Sequence, residues 1–484
     1  MKSRLTILSQ SEIEAIHSSS IRILERVGLL VKSPRVVKLL VDAGATVDSE
    51  RKTVKVPPSI VEESLLKHPP SFTLNARMRE NDLLIDSERI YAHPTGGCFN
   101  ILDADTGRVR GATTKDVEVL TKLIDASKDI HQCEMLVFAG DTPQQVRDVH
   151  TVATMLRNTT KNCGFTAYSD RNLEHIIRLA AAIVGGKEEL RKKPIITFGV
   201  SPTSPLELTE DVADQLVKSA SHALPVGILP APLAGGTSPA TLAGTLVQQN
   251  VEFLICHVIV QLVNPGNPVF YCPRPMCIDM RTGLTAEEVE FGLMSAAAVQ
   301  LAAHYKIPSD VYGLATNSKV LDEQAALEKA MIGLMPALAG ANFLSGAGAV
   351  EAGVTASPEQ LIIDNEILGL IFRVAKGIEV NPETLAADII EKKGPGAHYL
   401  GAEHTRRYYS SEHHIPELCD RTVRADWERA KSKDIVGRAR EKAGKLLKDH
   451  SVEPLDRDLE KELQRMLTEA NKEADTSAAM LAAT

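Results

Sequence analysis

The chain has 484 residues, 44% hydrophobic and 24% charged, with a formal net charge of −9. This length suits one large barrel with additions, or two to three domains. The acidic balance argues against a nucleic-acid partner, which needs clustered Lys and Arg. Aromatic residues make up only 4%, so any aromatic beside a candidate site carries weight.

In chain order, the opening MKSRLTILSQSEIEAIH turns polar too soon for a signal peptide. A helix is predicted from Ser9-Gln10-Ser11-Glu12 to about Val27. Ser9 and Ser11 both suit its N-cap, and Ser11 with Glu14 matches a capping box, which favours Ser11. Helices are predicted at Pro34–Ala43 and Pro58–His68. Ser71–Asn75 and Leu83–Tyr91 alternate like strands of a small antiparallel sheet. Residues 1–90 therefore read as an N-terminal α/β cap.

From Tyr91 the pattern alternates between strand and helix. Predicted strands are Gly97–Asp103, Met135–Ala139, Gly164–Tyr168, Ile195–Val200, Val226–Pro230, Val269–Cys272, Val311–Leu314 and Asn342–Gly346. Helices such as Arg171–Val184, Leu208–His222, Pro239–Leu262, Ala286–Tyr305 and Asp322–Leu338 lie between them. This α/β alternation favours a (β/α)8 TIM-type barrel over residues 91–376. The first strand lacks the glycine fingerprint of a dinucleotide fold. Residues 377–484 are charged, and read as a C-terminal helical extension. The most apolar helix, Val251–Val263, contains Glu252, His257 and Gln261, which argues against a membrane span. Seven irregularly spaced cysteines predict reduced thiols and a cytoplasmic location.

In a parallel barrel, chemistry sits at the C-terminal ends of the strands. Glu351 follows the eighth strand in SGAGAVEAG, whose glycines allow close backbone approach; a carboxylate tied to its own loop is the plainer reading. His93 and Phe99 stand in YAHPTGGCFN near the first strand, either at the site or as loop and core residues. Phe165 and Tyr168 are three apart on the third strand and so point to opposite faces; core packing suits Phe165, and Tyr168 is the better site candidate. Tyr312, Ala315 and Asn317 lie on and after the seventh strand. Arg274 in YCPRPMC is placed to clamp a carboxylate, or to neutralise Asp279. His398 and Tyr399, in GPGAHYLGAEH, fit a lid or an ordinary surface loop. The histidines from His398 to His414, with Cys272 and Cys277, raise the option of zinc, but their spacing matches no structural zinc pattern.

Several long strings resemble the trimethylamine methyltransferase superfamily over nearly the whole chain. They are SPTSPLEL (Ser201–Leu208), AGGTSPATLAGTLV (Ala234–Val247), NSKVLDEQAALEK (Asn317–Lys329), ALAGAN (Ala337–Asn342) and SPEQLIIDN (Ser357–Asn365). The resemblance implies methyl transfer from an amine to a corrinoid protein, with the corrinoid supplied by that partner and no cofactor bound by this chain. It also implies a homo-oligomer, and a glutamate at position 351 lining the amine pocket; the position carries over but not its detailed role, and Glu351 is the first catalytic candidate. Enzymes of the superfamily that use trimethylamine carry pyrrolysine just before the Ser/Thr of the ATNSK-like segment, where this chain has Ala315. The expected donor is therefore a small quaternary amine, glycine betaine first, with proline betaine, carnitine and γ-butyrobetaine open. A quaternary nitrogen needs no acid to leave, so such an enzyme must bind the cation, aim a methyl group and exclude water. A metal-dependent barrel enzyme and a non-catalytic betaine-binding protein stand as alternatives.

Overall fold

The computed structural model describes residues 5–103 and 106–482. Its centre is a ring of parallel strands: β1 (Tyr91–Pro94), β2 (Cys133–Glu134), β3 (Cys163–Phe165), β4 (Ile196–Val200), β5 (Val226–Ile228), β6 (Val269–Tyr271), β7 (Asp310–Tyr312) and β8 (Phe343–Ala347). Strands β2 to β6 form one ladder, and β7, β8 and β1 another. Two links close the ring. His131 N donates to Ala92 O between β1 and β2, and Tyr271 bridges Ser309 between β6 and β7. The strands are short and nearly continuously apolar, as strands covered on both faces are.

Two predicted strands are corrected. The first barrel strand is Tyr91–Pro94, not Gly97–Asp103. Asn100–Leu102 pairs instead with Thr355–Ala356 and Val109–Gly111 in a small sheet outside the barrel ladders. Pro94 lacks an N–H, and Gly96–Gly97 let the chain turn away there. The second strand is Cys133–Glu134, two residues before the predicted Met135–Ala139, because an apolar run alone does not mark where pairing stops.

The first helix spans Gln10–Arg26 and is capped by Ser9, not Ser11. Glu12 N donates to Ser9 Oγ, and Ser9 N donates back to the Glu12 carboxylate. Three short strands went unread: Leu29–Val31, Thr46–Asp48 and Thr53–Lys55. They join Glu207–Leu208, which follows β4, in a four-stranded sheet, so the N-terminal region is stitched to the barrel by backbone pairing.

Helix α1 (Leu242–Val263) is longer than the apolar run read from sequence, and is long and apolar enough to cross a membrane. Here it is a buried core helix, and several of its polar side chains are bonded. Ser204 Oγ and Leu206 N donate to Glu252, Asn250 Nδ2 donates to Tyr305 Oη, and Gln261 Nε2 donates to Asn267 O. Helices α2 (Glu323–Ala339) and α3 (Pro358–Lys376) follow β7 and β8. Each runs back antiparallel to its strand, so it begins at the mouth and ends at the opposite face of the barrel. Beyond α3, helix Ile435–Asp449 packs on α3, and helix Arg457–Ala482 packs on Asp170–Val184.

Candidate active site

A cavity of about 340 Å³ lies over the C-terminal ends of the strands. Period-two alternation aims its walls. On β7, Asp310 and Tyr312 face the cavity while Val311, between them, is fully buried in the surrounding core.

One wall is a charge cluster. His93 Nδ1 lies 2.7 Å from Pro94 O, and Nε2 lies 3.1 Å from Asp310 Oδ2. Both neighbours only accept, so both ring nitrogens must donate, which selects the imidazolium. Burial works against that charge, but Asp310 outweighs it and raises the His93 pKa. Arg274 Nη2 donates to Asp310 Oδ1 at 3.1 Å, and Nη1 donates to the Asp310 carbonyl at 2.6 Å. The Cys272 thiol donates to Asp310 Oδ2 at 3.4 Å. Against the cost of burial, Arg274 and His93 hold the Asp310 carboxyl well below the usual carboxylate range. Two cations and one anion leave this wall with one net positive charge.

The other walls are aromatic and acidic. Phe291 stacks on Tyr312 with ring centroids 5.5 Å apart, and Phe270 meets Phe343 edge to face at 5.7 Å. The Tyr312 hydroxyl bonds Thr95 Oγ1. The cation nearest its ring is the chain's own Arg274, 5.5 Å from the centroid. Burial pushes the Glu134 carboxyl up to about 7, with His93 opposing and Asp310 adding to the push. Gly164 on β3 makes room for this side chain: a Cβ there would stand 2.0 Å from Glu134 Oε2. Burial likewise raises Glu287 to about 7, although Lys329 and a 3.0 Å bond from Thr316 N oppose it.

Behind the cavity, a second ion pair is wholly buried. Lys329 Nζ of α2 donates to Asp364 Oδ2 of α3 at 2.8 Å and to Leu314 O at 3.1 Å. Gly348 N also donates to Asp364 Oδ2, at 2.7 Å. The pair thus ties the segments after β7 and β8 to their helices.

Of the sequence candidates, His93, Arg274 and Tyr312 line the cavity. Ala315 is buried one layer behind, against Phe291, Ile332 and Tyr312. Asn317 is a loop clamp: its Oδ1 accepts from Glu287 N, and its Nδ2 donates to Thr285 O. Glu351 sits in the left-handed region, with φ 57°. Its neighbours Ala352 and Gly353 line the cavity in its stead, and its carboxylate accepts from Thr355 Oγ1 at 2.8 Å. Phe165 is fully buried against Phe198. Phe99 and Tyr168 are exposed, each against Phe138, and line no part of the cavity. His398 and Tyr399 are exposed on a segment rooted at the C-terminal end of α3, the face opposite the cavity, which fits the surface-loop reading and not the lid. A glycine-rich loop resembles a lid, but the direction of α3 carries it away from the mouth.

Glu134, Glu287, Asp310 and Phe291 were missed. Asp310 had a signal, being two residues from Tyr312 and so on the same strand face. Glu134 had one as well, as a lone acid in the apolar run Cys133–Phe138. Glu287 and Phe291 had none. Among the described residues, no three of His, Cys, Asp and Glu are gathered as metal ligands.

The family model described as trimethylamine methyltransferase (MTTB) matches residues 2–475. The chain is 36% identical over 476 residues to trimethylamine methyltransferase MttB of Methanosarcina barkeri, covering 97% of this chain and 96% of the relative. It is 33% identical over 467 residues to MttB of Desulfitobacterium hafniense, covering 96% and 94%. It is 32% identical over 473 residues to a glycine betaine methyltransferase of Desulfitobacterium hafniense, covering 97% and 98%. The solved hydroxylamine complex of MtmB superposes with a TM-score of 0.50 at 13% identity, covering 90% of this chain and 92% of that one, a likeness of fold. With the family pattern running through every barrel strand and the cavity at the strand ends, the chain belongs to the trimethylamine methyltransferase family, whose members act on methylated amines.

Proposed function

We propose that this chain transfers a methyl group from a quaternary amine bearing a carboxylate, glycine betaine first, to cobalt(I) of a corrinoid carried by a separate protein. The observation that carries this reading is the division of charge around one cavity. The Arg274–Asp310–His93 wall keeps one net positive charge to meet a carboxylate. The aromatic walls, with Glu134 and Glu287, suit a trimethylammonium group. Ala315, where the superfamily's trimethylamine enzymes carry pyrrolysine, points the same way.

In the proposed step the C–N bond breaks and its electron pair stays on nitrogen, which leaves as a neutral tertiary amine. The new bond to carbon uses two electrons of cobalt(I), and no proton transfer is required. The chain's part is to hold the zwitterion, aim one methyl group outward and keep water away. A tight ion pair at the ammonium would favour the ground state, because the positive charge vanishes during transfer. Carboxyls that exchange their proton near neutral pH avoid that penalty, as their charge adjusts to a guest that is cationic before transfer and neutral after it. The corrinoid protein approaches the mouth, since the cavity lies at the strand ends. All seven cysteines are free thiols, in keeping with a reducing cytoplasm.

The test mixes this protein with a reduced, demonstrably competent corrinoid protein and, separately, glycine betaine, proline betaine, carnitine, γ-butyrobetaine and trimethylamine. Loss of the cobalt(I) absorbance with glycine betaine, and none with trimethylamine, is the expected result. Reaction with trimethylamine, or with no quaternary amine at all, would overturn the proposal.

A further inference from the structure

Three rings stand in a row on the rim of the barrel, in a chain with few aromatics. Phe99 follows β1, Phe138 follows β2 and Tyr168 follows β3. The Phe99 and Phe138 rings stack with centroids 5.2 Å apart, and those of Phe138 and Tyr168 lie 5.5 Å apart, both distances typical of favourable aromatic pairs. Phe138 is buried beneath the row, whereas Phe99 is 57% and Tyr168 40% exposed. Among the described residues, the other exposed aromatics, Tyr399 and Tyr409, lie beyond α3 and away from the mouth. Apolar surface left open in this way marks an interaction site.

The row is held by the backbone. Past β1 and β2 the pairing continues outward: Gly97 N donates to Met135 O at 2.8 Å, Cys98 N to Leu136 O at 2.9 Å and Phe138 N to Cys98 O at 3.1 Å. Tyr168 N donates to Asp148 Oδ2 at 2.7 Å, and the buried Asp148 also accepts from Asn172 Nδ2. Rings fixed in this way lose little freedom on binding. The row also adjoins the cavity. Gly97, Met135 and Thr166, each shortly before one of the rings in sequence, line it, and a Cβ on Gly97 would stand 3.4 Å from Phe138 Cε2. At the far end of the row the Arg147 guanidinium approaches the Tyr168 hydroxyl, and its Nε is buried without an acceptor.

We propose that this row receives the edge of the corrin ring of the methyl acceptor. The inference rests on the proposed function and names the surface on this chain that the acceptor touches. In-line transfer sets the cobalt over the mouth, on the extension of the C–N bond. A macrocycle laid across a cavity of about 340 Å³ overlaps the rim. Its edge, rather than the surface of the protein that carries it, therefore lies over the nearest side chains, and this commits the occupant to the ring. That edge bears methyl groups and carboxamide arms. The methyl groups suit the faces of Phe99 and Tyr168, and an amide oxygen suits the unused donor on Arg147.

The test uses the full chain, the variants F99A/Y168A and F99L, and cobinamide, a corrin ring without its nucleotide arm, as the probe. Equilibrium dialysis reads cobinamide binding, calorimetry reads glycine betaine binding, and circular dichroism checks that each variant is folded. The unaltered chain should bind cobinamide, F99A/Y168A should bind it about tenfold more weakly, and F99L should fall between. Affinity for glycine betaine should change less than about twofold, because neither ring lines the cavity. With a competent corrinoid protein, F99A/Y168A should weaken binding of the corrin-loaded form and leave that of the corrin-free form unaltered. No cobinamide binding at millimolar concentration, equal cobinamide affinity in all three chains, a matching loss of betaine affinity, or equal losses with loaded and corrin-free partner would each overturn the inference. A chain that holds cobinamide on these rings but binds no betaine would instead strike the donor reading and leave the row its role.

Discussion

Two of the clusters of buried charge in this barrel are built differently. Lys329 and Asp364 are both 0% exposed, and the bonds they make go to the protein's own groups. Arg274, Asp310 and His93 are nearly as enclosed, but one side faces the cavity and their charges do not cancel. The first cluster closes on itself and holds the rim in place. The second keeps a remainder, which a ligand can answer. Depth of burial does not separate them; the uncancelled charge beside an open volume does.

The largest expected effect breaks the closed cluster. Lys329→Met leaves the buried Asp364 without its counter-charge and should cost about 3–5 kcal/mol of stability, read from denaturant unfolding. The double variant Lys329→Met/Asp364→Leu should regain most of that loss. A single variant as stable as the parent would erase the distinction between the clusters. Next, Arg274→Lys keeps the charge of the open cluster but loses its fork. On the proposed function, kcat/KM for glycine betaine should fall about a hundredfold, roughly 2.7 kcal/mol, while stability falls far less than in Lys329→Met. Equal losses of stability would mean that Arg274 is structural too.

Glu287→Gln sharpens the comparison through pH. Burial raises the folded carboxyl to about 7 from an ordinary value of 4.5, so the unfolded chain ionises first as pH rises. The wild type therefore loses stability across that window, and the amide does not. Above pH 7 the variant should be more stable by roughly 3 kcal/mol, with the gain shrinking towards pH 4.5. Unfolding at both ends of the window checks this, and a gain independent of pH would sink the assignment. The smallest effect is expected for Glu351→Gln, whose amide can still accept from Thr355. KM should change less than about twofold, and a tenfold rise in steady-state assays would return Glu351 to the site.

The barrel was legible because its strands and helices alternate with distinct periods, and β4 to β6 begin within a residue of where the pattern put them. The strands of the N-terminal sheet were not, since three residues are too few to show a period. His93, Arg274 and Tyr312 could be read as polar or aromatic residues at strand ends. Glu287 could not, because it enters the cavity from a loop whose path depends on Asn317. For the loop of His398 and Tyr399 the sequence left lid and surface loop both open, and one step of geometry decides: a chain leaving the eighth barrel helix emerges on the face away from the mouth.

Gly164 makes no bond through a side chain, yet the acidic wall depends on what it lacks. The Glu134 carboxyl occupies the space that a single methyl group on β3 would take. Gly164→Ala would therefore evict a charge from the cavity while altering neither the charge nor the polarity of the chain. A survey of variants would score that change as damage to the active site at a residue with no chemistry of its own, and a designer wishing to move the acid could do so by adding one carbon next door.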